Sequence, residues 1–416
     1  MESQADQSTF RNYLSFFTGQ QISLLGSSAT QFAIIWWITE MAGKADAPFY
    51  LAIASFVGFA PMILLTPVAG VFVDRWSRKL LIGLVDFLQA MATVMLIFLF
   101  WSGFTSPWYM MGLLAFKGVC QAFHAPAVQA IVPLMVPRDK LSRINGVNYF
   151  FMGVMTLIGP VVAAFLLAFL RIDAVLWVDP ITFLVALTPL LFIKIPSVRM
   201  GMEKSSFKKD FIGGFKFIKN ARGLMPLVAL ATTLNFLLMP LVTQMPYFII
   251  FDHLGGVADM ALVMVSMQAG MLVGGLMMIF LKEVKKKMMT IVFSIAVAFV
   301  GYALLAVTPT GWFWYMVAWA FVLDLFVAPA NVLIRTLLQV VIPAEMQGRV
   351  NSVLMSLSSA ASPAGMILSG VLIGIVGSVN LFLGCAISGM LVLLLFWSFT
   401  GMRYLEKLAE NTPISS

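Results

Sequence analysis

The sequence predicts an all-helical membrane protein with twelve transmembrane helices arranged as two pseudo-symmetric six-helix bundles. Of its 416 residues, 61% are hydrophobic and only 11% are charged, whereas globular proteins are about half apolar and a quarter charged. The apolar residues form long runs over the whole length, as in a polytopic bundle. Landmarks of the first half recur in the second, which indicates a duplicated architecture.

Each predicted helix is an apolar run of roughly 20 residues or more, the length that crosses a bilayer. Charged residues, prolines and glycines separate the runs. Residues 1–11 are polar, so no signal peptide is predicted before the first helix. The twelve predicted spans are residues 12–39, 49–73, 79–102, 107–135, 145–170, 174–194, 224–251, 258–281, 288–308, 311–340, 351–376 and 379–402. The predicted domains are an N-terminal bundle, a cytoplasmic basic amphipathic linker and a C-terminal bundle, at residues 1–195, 196–223 and 224–416.

The basic residues predict the orientation of the bundle. The connections on one side hold most of them, including eight between Lys194 and Arg222, whereas the connections on the other side hold only Lys44 and Arg171. Because cytoplasmic loops are enriched in Lys and Arg, both termini are predicted to be cytoplasmic. The net charge of +8 therefore reflects orientation, and we expect no nucleic-acid partner.

The predicted linker contains a basic amphipathic stretch, in which phenylalanines and lysines are grouped between residues 207 and 219. Such a stretch can lie along the inner membrane surface, where apolar burial and anionic headgroups hold it. A plain connection between the bundles is an equal alternative.

A repeat relates helices 4 and 5 to helices 10 and 11. Residues 122–127, with Pro126 inside them, recur as residues 325–330 with Pro329, and Pro160 recurs as Pro363. Both prolines recur 203 residues further along the chain. A parallel repeat of six-helix halves, related by an axis along the membrane normal, is an architecture of secondary transporters.

A compact charged turn interrupts the apolar runs at residues 70–79. Its landmarks are Gly70, Asp74, Arg75, Arg78 and Lys79, and a turn with these charges cannot lie in hydrocarbon. The spacing resembles the signature loop between helices 2 and 3 of the major facilitator superfamily of secondary transporters. The resemblance implies two related six-helix bundles with the substrate path between them. A solvated turn that anchors an ordinary membrane hairpin is the alternative.

This turn is predicted to act as a latch that holds the cytoplasmic side closed. Asp74 can accept hydrogen bonds from the free N–H groups that begin helix 11, and Arg75 and Arg78 can reach Asp139. The matching loop of the second half, residues 281–287, lacks the Asp-Arg pair, so the latch is predicted to be one-sided. The predicted latch residues are Gly70, Asp74, Arg75, Arg78, Lys79, Asp139, Arg143 and Arg349.

Ionisable residues inside a membrane cost a few kcal/mol each and are functional candidates by default. Lys117, followed by Gly118 and Gln121, resembles a helix 4 motif of drug:proton antiporters in which arginine takes the first position. Asp324, near the middle of helix 10, is the first candidate for a group that takes and releases the coupled proton. The proton-coupling candidates are Asp324, Lys117, Asp86, His124 and Glu40.

Each of these residues also has a structural interpretation. Lys117 can snorkel or pair, Asp324 can make a polar contact, and His124 can pack inside the bundle. Asp86 is expected to join a cytoplasmic network with Arg75 or Arg143. Asp179, which precedes Pro180, is expected to mark a break in helix 6 and to pair with Arg171.

The substrate cleft is predicted to be lined from helices 1, 4, 7 and 10. The 29 methionines and 36 phenylalanines of the chain provide adaptable apolar surface, suited to bulky hydrophobic compounds. Most of them are expected to face lipid or to pack. The cleft candidates are Gln20, Gln31, Phe32, Trp36, Trp37, Gln121, Asn235, Met239, Gln244 and Trp319.

Further landmarks narrow the resemblance. Residues 19–24, the Thr39-Glu40 pair and residues 122–127 are together similar to the bacterial macrolide-efflux branch of drug:proton antiporters. This resemblance implies proton-coupled efflux of bulky amphipathic compounds across a bacterial cytoplasmic membrane by alternating access. Siderophore exporters and lysophospholipid flippases look similar at this level. We expect a monomer that works with protons and membrane lipids and needs no cofactor.

Other function classes fit the sequence poorly. There is no P-loop and no nucleophile motif with placed partners, which argues against an enzyme and against ATP as the direct energy source. Cys120 and Cys385 lie in apolar segments without metal-ligand spacing, so they are expected to be free thiols. A channel would favour rings of polar side chains along a pore, whereas this sequence has isolated charges.

Overall fold

The computed structural model describes residues 7–193, 195, 207–221, 223–280, 284, 286–343 and 346–406. Within these ranges the chain forms α-helices joined by short connections, and no strand. A π-helical turn, Phe248–Asp252, follows the eighth helix, and short 3-10 turns lie at Arg138–Lys140 and Gly401–Arg403. The α-helices are α1 Gln7–Arg75, α2 Arg78–Trp101, α3 Pro107–Met135, α4 Leu141–Leu167, α5 Ile172–Val175, α6 Val178–Phe192, α7 Phe207–Asn220, α8 Leu224–Tyr247, α9 Val257–Phe280, α10 Lys287–Ala306, α11 Phe313–Val341, α12 Gln347–Ser359, α13 Ser362–Val376 and α14 Ser378–Phe399.

The predicted all-helical membrane fold is confirmed, whereas the count of twelve spans is confirmed only in part. In the described part of the chain, ten helical segments are long and apolar enough to cross a membrane, and α1 counts as one of them. α1 is interrupted at Gly43, whose φ of 70° and ψ of 173° are not helical and suit glycine because it has no Cβ. α3 is long enough to cross, but Lys117, Gln121 and His124 lower its hydropathy. The number twelve therefore requires two crossings from α1 and one from α3.

Two predicted helices contain a break. The predicted span 174–194 consists of α5 and α6, and the break precedes Asp179 in the first turn of α6, as the Asp-Pro pair suggested. The predicted span 351–376 consists of α12 and α13, and Pro363 lies at the start of α13. Proline fits the first turn of a helix because it has no N–H to donate there.

The chain divides into two compact units. Unit 1 comprises Met1–Gly201 and Gly255–Val265, and unit 2 comprises Met202–Leu254 and Ser266–Ser416. The linker helix α7 falls in unit 2 and packs against α12.

In unit 1, α1 packs against α3, α4 and α6, and α2 packs against α3. Glycines allow these close contacts. A Cβ at Gly118 would overlap the carbonyl oxygen of Gly58, and one at Gly159 would overlap the side chain of Ser28. Two clusters of buried apolar side chains fill the unit, one around Ile82 and Ile131 and the other around Ile97 and Met110.

In unit 2, α8 packs against α13 and α14, and α10 packs against α11 and α14. Gly270 and Gly274 of α9 lie against the main chain of α11, at Phe321 and Leu325. Tyr302 and Phe382 are fully buried, with ring centroids 6.0 Å apart. The core of unit 2 is therefore apolar and partly aromatic.

Candidate proton and substrate sites

A carboxylate on α6 forms the centre of a polar cluster in unit 1. Lys117 Nζ of α3 donates a hydrogen bond to Asp179 Oδ2 at 2.6 Å. Thr93 Oγ1 of α2 donates to the same oxygen at 2.7 Å, and Ser27 Oγ of α1 donates to Asp179 Oδ1 at 2.8 Å. Asp179 is only 5% exposed, so the cluster satisfies a buried charge with one cation and two hydroxyl groups.

The partner of Asp179 differs from the expected one. Arg171 Nε lies 3.3 Å from Asp173 Oδ1, and Trp101 Nε1 donates to Asp173 Oδ2 at 3.0 Å. Arg171 thus pairs with Asp173, two residues further along the chain. Lys117 lies next to Asp179, in the position that was predicted for Arg171. Sequence reasoning identified both Lys117 and Asp179 as buried charges but did not pair them, because they are 62 residues apart.

A second pair lies further along α3. His124 Nε2 lies 3.0 Å from Asp86 Oδ1, and Gln20 Nε2 donates to Asp86 Oδ2 at 3.3 Å. Asp86 was expected to pair with Arg75 or Arg143. Arg143 is exposed, and the side chain of Arg75 lies outside the described part of the structure. Asp86 therefore pairs within the bundle, with a side chain that titrates near neutral pH in water.

α3 presents both basic side chains on one face. Lys117 and His124 are seven residues apart, which is two helical turns and about 10.5 Å along the axis. Each faces a different carboxylate, Asp179 for Lys117 and Asp86 for His124. Cys120, a buried free cysteine, lies between them in the sequence. Unit 1 therefore has two separate sites, each able to hold a proton or an ion pair.

Asp324 of α11 is surrounded differently. It is partly buried, and within the described residues no hydrogen bond or ion pair engages it. Its neighbours in sequence pack tightly, because Leu323 lies against Gly301 of α10 and the carbonyl group of Phe321 lies against Gly270 of α9. The helix is thus fixed on two sides, while the carboxylate has no cation in the described part of unit 2.

Some of the predicted latch residues have described side chains. Lys79 Nζ donates to the carbonyl oxygens of Leu191 at 2.8 Å and Ile193 at 2.7 Å, and so binds the C-terminus of α6. Arg78 begins α2, and Asp139 lies in an exposed 3-10 turn. Arg143 and Arg349 are exposed. The surroundings of Gly70, the side chains of Asp74 and Arg75, and residues 281–283 and 285 of the matching loop lie outside the described part. The latch therefore stays a prediction.

The cleft candidates fall into two groups. Several are engaged inside their unit: Gln20 contacts Asp86, Phe32 is buried, Asn235 Nδ2 donates to the Ser358 carbonyl at 3.2 Å, and Gln244 Nε2 donates to Ser369 Oγ at 3.0 Å. The exposed or partly exposed candidates are Gln31, Trp36, Trp37, Gln121, Met239 and Trp319. Their role as a cleft lining stays a prediction.

One cavity of unit 1 includes predicted site residues. It has a volume of about 310 Å³ and is lined by Trp36, Trp37, Glu40, Phe100 and Arg171 among others. Within the described ranges, no group of three or more His, Cys, Asp and Glu side chains lies close enough together to hold a metal ion.

The chain is similar to known transporters over most of its length. A family model described as Major Facilitator Superfamily matches residues 16–362. Macrolide efflux protein A of Streptococcus pyogenes is 29% identical over 387 residues, which cover 91% of this chain and 94% of that protein. Macrolide efflux protein A of Enterococcus faecalis is 28% identical over 316 residues, which cover 75% of this chain and 97% of that protein. These matches confirm the resemblance predicted from the sequence.

A solved structure agrees with the fold. The crystal structure of a bacterial homologue of the iron transporter ferroportin, in an inward-facing state, matches with a TM-score of 0.70. The match covers 93% of this chain and 99% of that chain at 15% sequence identity. At this identity the likeness concerns the fold alone.

Proposed function

Since this chain belongs to the major facilitator superfamily, we propose that it exports bulky amphipathic compounds of the macrolide kind in exchange for protons. The chain is a multi-pass membrane protein and a transporter by family. The proposal adds the substrate class, the direction and the coupling ion. The similarity to two proteins named for macrolide efflux, over 91% and 75% of this chain, supports the substrate class.

The coupling proposal depends on one observation, the contrast between Asp324 and the carboxylates of unit 1. Asp86 and Asp179 each have a basic partner within about 3 Å, whereas Asp324 has none among the described residues. A carboxylate withdrawn from water without a counter-ion gains most from binding a proton. We therefore assign the exchanged proton to Asp324 and a supporting role to the two pairs.

Proton binding at Asp324 can drive alternating access in a simple way. A charged carboxylate in a transmembrane helix favours a state in which water reaches it, because burying the charge costs several kcal/mol. Once neutral, the same side chain can be enclosed, and the bundle can pass between its two open states. An antiporter results when the substrate and the proton bind to the carrier in alternation.

The experiment measures transport in proteoliposomes that contain Asp324→Asn. We expect uphill transport driven by a pH gradient to fall at least tenfold, while exchange of labelled for unlabelled macrolide continues near the parent rate. Asn keeps the shape of the side chain and cannot exchange a proton, so only steps that need proton release should stop. Asp46→Asn changes an exposed carboxylate of α1 and serves as the matched control.

The substrate panel contains a macrolide, a siderophore and a lysophospholipid. Uphill transport of the macrolide by the parent protein, with protons moving in the opposite direction, is the expected result. Transport of only the siderophore or the lysolipid would contradict the macrolide assignment. Full gradient-driven transport by Asp324→Asn would contradict the proton assignment.

A further inference from the structure

The cavity of about 310 Å³ in unit 1 has the composition of a site for an organic cation. It lies beside residues 36–40 of α1, shortly before the interruption at Gly43, and near the C-termini of α2 and α4 and the start of α5. Pockets for drug-sized ligands run from about 300 to 1,000 Å³. This one is large enough for a substituent or a single ring, and too small for a whole macrolide.

The aromatic wall of the cavity is held in place by packing. Trp37 and Phe100 contact each other edge to face, with ring centroids 5.1 Å apart and an interplanar angle of 63°. Phe100 is only 5% exposed, so it anchors the indole ring. Trp36 is partly exposed beside them. The faces of tryptophan rings attract cations, and such aromatic walls bind alkylammonium groups.

The charges at the cavity favour a cation as well. Glu40 is exposed at the cavity wall, and in the part of the chain that the structure describes no cation or hydrogen-bond donor engages it. Arg171 Nε lies 3.3 Å from Asp173 Oδ1 in an exposed ion pair, and Trp101 Nε1 donates a 3.0 Å hydrogen bond to Asp173 Oδ2. The charged residues of the lining are Glu40 and Arg171; Asp173 lies outside the lining and pairs with Arg171, so the carboxylate of Glu40 is the lining charge that lacks a partner among the described residues.

We propose that this cavity binds the protonated amine of a cationic amphiphile, with Glu40 as the counter-ion and the Trp36 and Trp37 rings as the walls. The amine-bearing substituent enters the cavity, and the apolar remainder of the molecule stays outside. This inference rests on the proposed function and narrows its substrate class to compounds with a basic amine. It also gives Glu40 a role in recognition in place of proton coupling.

Binding and transport are measured for two probes that differ only in charge. The first is a macrolide with a dimethylamino sugar, and the second is the same macrolide with hydroxyl in place of the amine. Titration calorimetry on the detergent-solubilised protein gives each dissociation constant, and proteoliposomes give each transport KM.

For the parent protein, we expect the amine compound to bind about tenfold more tightly than the neutral one. Glu40→Gln should remove this preference by weakening binding of the amine compound alone, and Glu40→Asp should restore part of it. Asp46→Asn, a nearby exposed carboxylate on the same helix, should leave both constants unchanged.

Two results would overturn the inference. Equal affinity of the parent protein for both probes would show that the cavity does not distinguish the charged amine from the neutral hydroxyl group. Loss of gradient-driven transport of the neutral compound in Glu40→Gln would make Glu40 a proton-coupling residue. Selective binding of the amine compound, without transport of either macrolide by the parent protein, would contradict the proposed function and still support the proposed binding site.

Discussion

The duplicated helices α3 and α11 share their packing landmarks and differ in their charges. Residues 122–127 of α3 recur as residues 325–330 of α11, and both segments contain a proline between alanines. At the same offset of 203 residues, Lys117 and His124 correspond to Ala320 and Val327, and Gln121 corresponds to Asp324. The repeat has therefore kept the shape of the helix and changed which ionisable groups it holds.

The difference indicates that this protein has two kinds of charged residue within its transmembrane helices, namely paired and unpaired ones in the described part of the chain. In unit 1, each basic side chain of α3 faces a carboxylate from another helix, so the charges bind helices together and compensate one another. In the described part of unit 2, Asp324 holds no helix in this way. A charge that stabilises the fold should be needed for stability, whereas a charge that serves coupling should be needed only for transport.

The largest expected effect comes from breaking a pair of unit 1. Lys117→Met leaves Asp179 buried without its cation, and loss of one partner of a buried pair costs about 3–5 kcal/mol in the free energy of unfolding. Asp324→Asn should change this free energy by less than about 1 kcal/mol, because no described partner is lost. Thermal unfolding in detergent, monitored by circular dichroism, compares the two variants.

The double variant Lys117→Met with Asp179→Asn is the control for this comparison. It removes both charges, so it should recover most of the stability lost by Lys117→Met alone. If Lys117→Met is as stable as Asp324→Asn, the pair does not hold unit 1 together, and the distinction between the two kinds of charge is wrong.

The helices were predictable from the sequence because a lipid environment requires them. The predicted span 79–102 matches Arg78–Trp101, and the span 288–308 matches Lys287–Ala306. The break between α12 and α13 was not predicted, although Ser359, Ser362 and the helix-breaking Pro363 lie beside it. The partner of Asp179 was not predicted either, because hydropathy shows that a buried charge needs a partner but contains no information on how distant helices are rotated.

A smaller effect tests whether the two halves also differ at their charged loops. Asp74→Asn should reduce transport about tenfold at an unchanged amount of protein in the membrane, because an amide cannot supply the negative charge that a helix N-terminus attracts. Glu283→Gln, in the matching loop of the second half, should leave transport unchanged. The measurement is the initial rate of efflux, normalised to the protein present. Equal losses in both variants would contradict a one-sided latch.

The smallest expected effect concerns a close contact between two helices, which each half forms with a different glycine. In unit 1, Gly118 of α3 lies against the carbonyl oxygen of Gly58, whereas in unit 2 the counterpart of Gly118 is Phe321, and Gly270 of α9 lies against its carbonyl oxygen. In each case a Cβ on the glycine would overlap main chain, which cannot move as a side chain can, so Gly118→Ala and Gly270→Ala should each cost about 1–3 kcal/mol. Because alanine gains about 1 kcal/mol in helix propensity over glycine, the net loss should be about 1 kcal/mol.

The matched controls for these glycine variants lie on the same two helices. Gly112 of α3 and Gly275 of α9 have no atom within 4 Å of the Cβ position, so alanine there should raise the free energy of unfolding by up to about 1 kcal/mol. The sign of the change therefore separates packing from propensity in each half. If Gly118→Ala and Gly112→Ala shift the unfolding temperature in the same direction, unit 1 does not depend on this close approach, and the shared packing of the two halves is weaker than the repeat indicates.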